Sequence, residues 1–118
     1  MIVYEKSYQR AFVYVTDMAR ALIFALENAD KMRDRVYNVG SEELNLTKEQ
    51  VAELIQKKTE YYLHYADFGK DADQRNYRVS CEKMRKLGFE TEISLEQGID
   101  QLIELFKVLE LPKIYSNV

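Results

Sequence analysis

The sequence predicts a mixed α/β (α+β) domain: a small sheet packed with about four helices. Three observations carry that expectation. Thr47–Gln50 and Ser94–Gln97 each place a hydroxyl three residues before a glutamine, ahead of apolar residues at helical spacing. Short runs rich in Val, Phe and Tyr, at Phe12–Val15, Arg35–Val39 and Tyr61–Ala66, read as strands. Strand-like and helix-like runs then follow one another along the chain, which suits helices layered on a sheet.

The 118 residues suffice for one domain, expected over 1–112, with a loose tail at 113–118 beyond Pro112. Apolar residues make up 47% and charged residues 31%, the balance of a globular chain rather than a disordered one. A net charge of −3 supplies no basic field for a nucleic-acid backbone or an anionic membrane. No apolar run approaches the ~20 residues that span a bilayer. The first residues, Met1–Glu5, lack a signal-peptide pattern. One cysteine, Cys81, cannot form an internal disulfide, so a cytosolic compartment is expected. Together with the single histidine, His64, it leaves too few nitrogen and sulfur ligands for zinc.

Taken in order, Ile2–Glu5 alternates weakly and reads as a short edge strand. A polar connection at Lys6–Gln9 leads to Arg10 and the Phe12–Val15 strand. Thr16 and Asp17 can cap the helix that follows, Met18–Asn28. Met18, Leu22, Ala25, Leu26 and Ala29 form one stripe of that helix, with Ala21 and Ile23 beside it. A helix so poor in polar residues calls for cover on two sides, which suggests a missing partner. Lys31–Arg35 reads as a solvated turn, and Arg35–Ser41 as a buried strand ending at Gly40.

Thr47, Gln50, Leu46 and Val51 make a complete helix start, with Val51, Leu54 and Ile55 as the buried stripe. Lys57 and Lys58 suit the helix C-terminus. Tyr61–Ala66 is a strand, Gly69–Gln74 a loop and Arg75–Val79 an extended segment. Ser80 is expected to cap a short helix bearing Met84 and Leu87, with Gly88 in the left-handed slot after it. Leu95, Ile99, Leu102, Ile103 and Phe106 line the last helix.

Several chemistries are absent. The four glycines, at 40, 69, 88 and 98, are too scattered to form a phosphate-cradling loop. No tyrosine has a lysine four residues later, and no spacing favours a nucleophile–histidine set. The positive features are Arg10 and Arg75, each leading an extended segment after a loop, where a guanidinium can pair with a phosphate. Spacing alone makes a solvated or salt-bridged arginine the simpler reading of both. Asp17 is more often a cap than a catalytic acid in such a place. Asn38 fits a turn backbone, Tyr61, Tyr62 and Tyr65 fit strand core, and His64 has no evident partner. Cys81, early in a helix, could have a lowered pKa but fits a small buried residue better.

In combination these segments resemble the C-terminal part of the extended short-chain dehydrogenase/reductases, the NAD-dependent nucleotide-sugar epimerases and dehydratases. The resemblance runs from about Ile2 to Phe106. It rests on Q-R-A-F-V-Y-V-T-D (9–17) with an Ala-rich helix, V-Y-N-V-G-S (36–41) and L-T-K-E-Q-V-A-E-L-I (46–55). D-x-R-N-Y-R-V-S (73–80), K-x-x-K-L-G-F (83–89) and S-L-E-Q-G-I (94–99) complete it. Tyr14 departs from a frequent family histidine. The resemblance implies that Arg10 and Arg75 grip the diphosphate of a nucleotide sugar. It also implies that the NAD-binding glycine loop and the Tyr-x-x-x-Lys pair lie in an upstream Rossmann domain, so that no cofactor or catalytic residue is expected here. Two expectations compete. One is a substrate-side portion, inactive alone, that needs its missing Rossmann domain. The other is a non-catalytic module that pairs through the apolar helix with a partner or a second copy. An independent small enzyme is disfavoured, because no acid–base pair is visible.

Overall fold

The computed structural model describes residues 1–70 and 72–109; Pro112 and the expected tail lie outside them. Strand β1 (Ile2–Val3) pairs in parallel with β4 (His64–Tyr65), and β2 (Gln9–Ala11) pairs antiparallel with β3 (Asn45–Thr47). Helices α1 (Val15–Glu27), α2 (Ala29–Met32), α3 (Lys48–Lys58), α4 (Glu82–Lys86) and α5 (Leu95–Val108) surround these ladders. The architecture is mixed α/β, as the sequence predicts. The small sheet is nevertheless split into two-stranded pieces, because the chain turns at Glu5 (φ +43°), where the Tyr8 N–H bonds the Glu5 carbonyl.

Both capping boxes form. Thr47 Oγ1 accepts from the Gln50 N–H at 3.1 Å while Gln50 returns to the Thr47 N–H at 2.8 Å. Ser94 and Gln97 do the same for α5. Thr47→Ala is therefore expected to cost about 1 kcal/mol, seen as a drop of roughly 4–8 °C in Tm; an unchanged Tm would show that tertiary packing alone holds the start of α3. Gly88 takes the left-handed conformation after α4 (φ +98°).

The core lies where α1, α2 and α4 converge: Ala21, Met32, Met84 and Phe89 are buried, with Phe24, Ala25, Tyr37, Val39 and Leu87 against them. The Phe24 and Phe89 rings are tilted, with centroids 5.4 Å apart, a favourable aromatic geometry. Met32 corrects the expected solvated turn, since apolar burial draws the 29–32 stretch into a helical turn against the core. Asn38 ties this region down by donating to the Ser80 carbonyl at 3.0 Å.

Four strand expectations shrink, that of Ile2–Glu5 to the two residues of β1. The ladder near Arg10 covers Gln9–Ala11 rather than Phe12–Val15, and past Phe12, whose N–H bonds the Leu44 carbonyl, helix α1 takes over at Val15. Arg35–Ser41 has no strand partner among the described residues, and Val36 is 81% exposed. Tyr61–Ala66 pairs only at His64 and Tyr65, because β1 is only two residues long; Tyr62 lies exposed.

Two cap expectations also change. Asp17 sits inside α1 rather than ahead of it, its carboxylate drawn to the distant amides of Glu92 and Ile93 (3.0 Å each). Ser80 stands one residue ahead of the N-cap position, which Cys81 takes. The Ser80 Oγ still accepts the N–H of Glu82, the first residue of α4, at 3.4 Å, while the Glu42 carboxylate accepts the Cys81 N–H at 3.1 Å. Cys81 itself is buried, and burial, then the Glu42 charge, pushes its thiol up.

Helix α1 keeps a largely apolar surface in the open: Leu22 is 63%, Ile23 56% and Leu26 79% exposed. No helix among the described residues is long and apolar enough to cross a membrane.

Candidate functional site around Arg10, Asp73 and Arg75

Strand β2 positions the candidate site. Its central residue, Arg10, lies opposite Leu46. The segment after residue 72 runs beside β2 because two asparagines hold it there. Asn76 Oδ1 accepts the Gln9 N–H at 2.9 Å. Asn45, buried in β3, pairs with the main chain of Val79 in both directions, donating to its carbonyl at 2.9 Å and accepting its N–H at 2.7 Å. A side-chain amide thus imitates a strand partner.

The Arg10 guanidinium reaches across this seam. It donates to the carbonyls of Gln9 (2.8 Å), Asp73 (3.0 Å) and Arg75, and lies 3.4 Å from the Asp73 carboxylate. It also stands 5.5 Å from the Tyr77 ring centroid, a cation–π distance. Its side chain is only 14% exposed. The arginine expected to face a ligand is thus largely occupied in fastening the 73–75 loop.

Arg75 behaves differently. Its side chain is 74% exposed, and its Nε and Nη2 fork onto the two oxygens of Asp73 at 2.7 and 2.8 Å. Asp73 Oδ1 also accepts the Arg75 N–H at 3.1 Å. These side-chain and main-chain bonds from Arg75, with the nearby Arg10 charge, hold the Asp73 carboxyl well below the usual range, and Arg75 is pushed up in return. Ala72, Asp73, Gln74 and Arg75 line an open depression at this point.

Both arginines therefore meet at one loop. Reasoning from sequence missed Asp73, which joins them, and Asn45, which holds the segment behind them. An acidic residue two positions before the arginine was the available signal for the first. A polar residue between Leu44 and Leu46 was the signal for the second.

A separate cleft of about 470 Å³ is lined by Glu42, Glu43, Glu82 and Glu90 with Arg85; its carboxylates disfavour an anionic ligand. Tyr61 and Tyr65 are half-buried, with the Tyr61 hydroxyl donating to the Ala52 carbonyl at 2.6 Å. His64 is exposed on β4.

Residues 2–40 match the NAD dependent epimerase/dehydratase family. Over 54 residues the chain is 35% identical to UDP-D-apiose/UDP-D-xylose synthase 1 of Arabidopsis thaliana, a stretch covering 46% of this chain and 13% of that protein. Among solved structures it resembles a GDP-D-glycero-L-gluco-heptose synthase from Campylobacter jejuni (TM-score 0.72, 20% identity, 91% of this chain). It also resembles a GDP-6-OMe-4-keto-L-xylo-heptose reductase from C. jejuni (TM-score 0.74, 21% identity, 90% of this chain). The chain spans about a third of each of those two structures. The likeness to them shows a shared fold, and the family match extends over residues 2–40 of this chain.

Proposed function

We propose that these residues form the substrate-side portion of an NAD-dependent nucleotide-sugar epimerase or dehydratase, holding the ligand's diphosphate through Arg75 and Arg10. The observation that carries this reading is the meeting of both arginines at one exposed loop fastened to β2. Arg75 offers a planar fork suited to paired bonds with a phosphate. Arg10 fixes the loop and adds a second positive charge beside it. Fixing the diphosphate sets the position of the attached sugar, which is the contribution a binding portion makes to a reaction carried out elsewhere.

We assign no dinucleotide site to the described residues. Gly40 precedes the turn at Glu42–Leu44, where carboxylates gather, and Gly88 ends a helix rather than starting one. NAD, the acid–base tyrosine and the redox step belong, on this proposal, to residues outside these 118.

In the protein carrying the cofactor-binding half, Arg75→Ala is expected to weaken nucleotide-sugar binding ~10-fold or more, measured by calorimetry. These 118 residues alone should bind a nucleotide sugar weakly or not at all, and NAD not at all; tight NAD binding by this chain would contradict the assignment.

A second reading, a non-catalytic interaction or dimerisation module, draws on the exposed Leu22, Ile23 and Leu26 of α1. Light scattering separates the two. A stable dimer burying α1, with no nucleotide-sugar effect on Tm, favours the module. Aggregation relieved by adding the cofactor-binding half favours the substrate-side portion.

A further inference from the structure

The diphosphate reading leaves one contact unexplained: the carboxylate that already occupies Arg75. Asp73 fills the Nε–Nη2 edge of the guanidinium, the same fork on which a phosphate would make paired hydrogen bonds. Its second oxygen also faces Arg10 at 3.4 Å. One tethered anion thus stands between two guanidinium groups, at the place where the ligand's charge is needed.

Resting on the reading of this loop as a diphosphate site, we infer that Asp73 is a displaceable counter-ion that sets a charge threshold on the ligand, closing Arg75 to monoanions and yielding to pyrophosphate-bearing molecules. The reason is competition at equal geometry. A monoanion replacing Asp73 exchanges one unit charge for another. It also forgoes the advantage of a competitor attached two residues away, whose effective concentration is high. A diphosphate brings more charge and more acceptor oxygens, so it can occupy the fork and still face Arg10. Rejection of weaker anions by an internal carboxylate is specificity obtained through repulsion rather than through added contacts.

The surroundings allow the exchange. Arg75 is mostly exposed, so its side chain can turn outward without opening the core. The loop main chain stays in place, since Arg10 holds the carbonyls of Asp73 and Arg75 and Asn76 holds the Gln9 N–H. With its carboxyl held well below the usual range, Asp73 stays charged at neutral pH, so a competing anion rather than a proton opens the contact.

Asp73→Asn removes the charge and keeps Oδ1 as acceptor for the Arg75 N–H. The test titrates the full chain and this variant with inorganic pyrophosphate, UDP, GDP and acetate, following the Arg75 Nε–H signal by NMR. The variant should bind pyrophosphate and the two nucleotides about tenfold more tightly and should begin to respond to acetate. Adding Arg75→Ala to it should erase that gain. If Asp73→Asn binds no better, or worse, while Arg75→Ala weakens the unsubstituted chain, the counter-ion role is overturned and the diphosphate site stands. If neither the chain nor the variant responds to pyrophosphate or either nucleotide at millimolar concentrations, alone or in the protein carrying the cofactor-binding half, both are overturned.

Discussion

Asp17→Ala is expected to destabilise the fold by about 2–6 kcal/mol, because the Glu92 and Ile93 amides would each lose their acceptor at about 1–3 kcal/mol apiece. Asp17 is fully buried in the first turn of α1. It accepts the N–H groups of Glu92 and Ile93 at 3.0 Å each and the Arg20 guanidinium at 2.6 Å. Alanine would strand the two amides, whereas Arg20, 38% exposed, keeps its Glu92 and Glu90 partners. The bonds lost also join α1 to the stretch leading into α5, elements far apart in sequence. Urea unfolding should show the loss, and hydrogen exchange should speed up first at the Glu92 and Ile93 amides. Asp17→Asn keeps one acceptor oxygen and should recover part of the difference.

The same residue predicts a pH dependence. Burial alone pushes a carboxyl up; here the amides of Glu92 and Ile93, then Arg20, more than offset it, and Asp17 is held below its ordinary 3.8. A group whose folded pKa lies below its unfolded one stabilises the fold at higher pH and loses that contribution as pH falls. The Asp17 share is thus complete above about pH 4 and fades on further acidification. Asp17→Asn should lack this component, so its stability curve should be flatter than the wild type's on the acid side. Equal acid slopes would mean that other carboxylates carry the dependence.

What the sequence disclosed follows from the range of the forces involved. Thr47–Gln50, Ser94–Gln97 and Gly88 were legible because a cap or a left-handed terminus is settled within a few residues. Asp17 was misread for the same reason: beside Thr16 it has the look of a local cap, and nothing nearby announces that amides 75 and 76 positions away will claim it. The strand at Arg35–Ser41 was overread because an apolar β-branched run reports a preference for being paired, whereas pairing needs a neighbour. Its openness and the apolar surface of α1 are consistent with each other, since both are elements that would gain from cover. At the candidate site the two arginines were legible as residue types in extended segments. Their unequal exposure was not, because it depends on which of them passes beneath the 73–75 loop.

That inequality gives the second large effect. Arg10→Ala is expected to cost about 2–3 kcal/mol and to weaken ligand binding as well, because the side chain bonds three carbonyls and faces Asp73 from a largely buried position. Removing it leaves those carbonyls without their donor and the Asp73–Arg75 pair without its anchor. Arg10→Lys should recover less than half of the stability, since a single ammonium cannot span carbonyls spread along two segments as a planar fork does. Arg75→Ala should leave the unfolding transition where it is and lose binding alone, its side chain being mostly in solvent. Thermal unfolding, hydrogen exchange over residues 72–79 and ligand titration on the three variants separate the two roles. Should Arg10→Ala remove binding while the 72–79 amides stay fully protected and Tm holds, Arg10 would be a direct ligand contact rather than the fastener of the loop that presents Arg75.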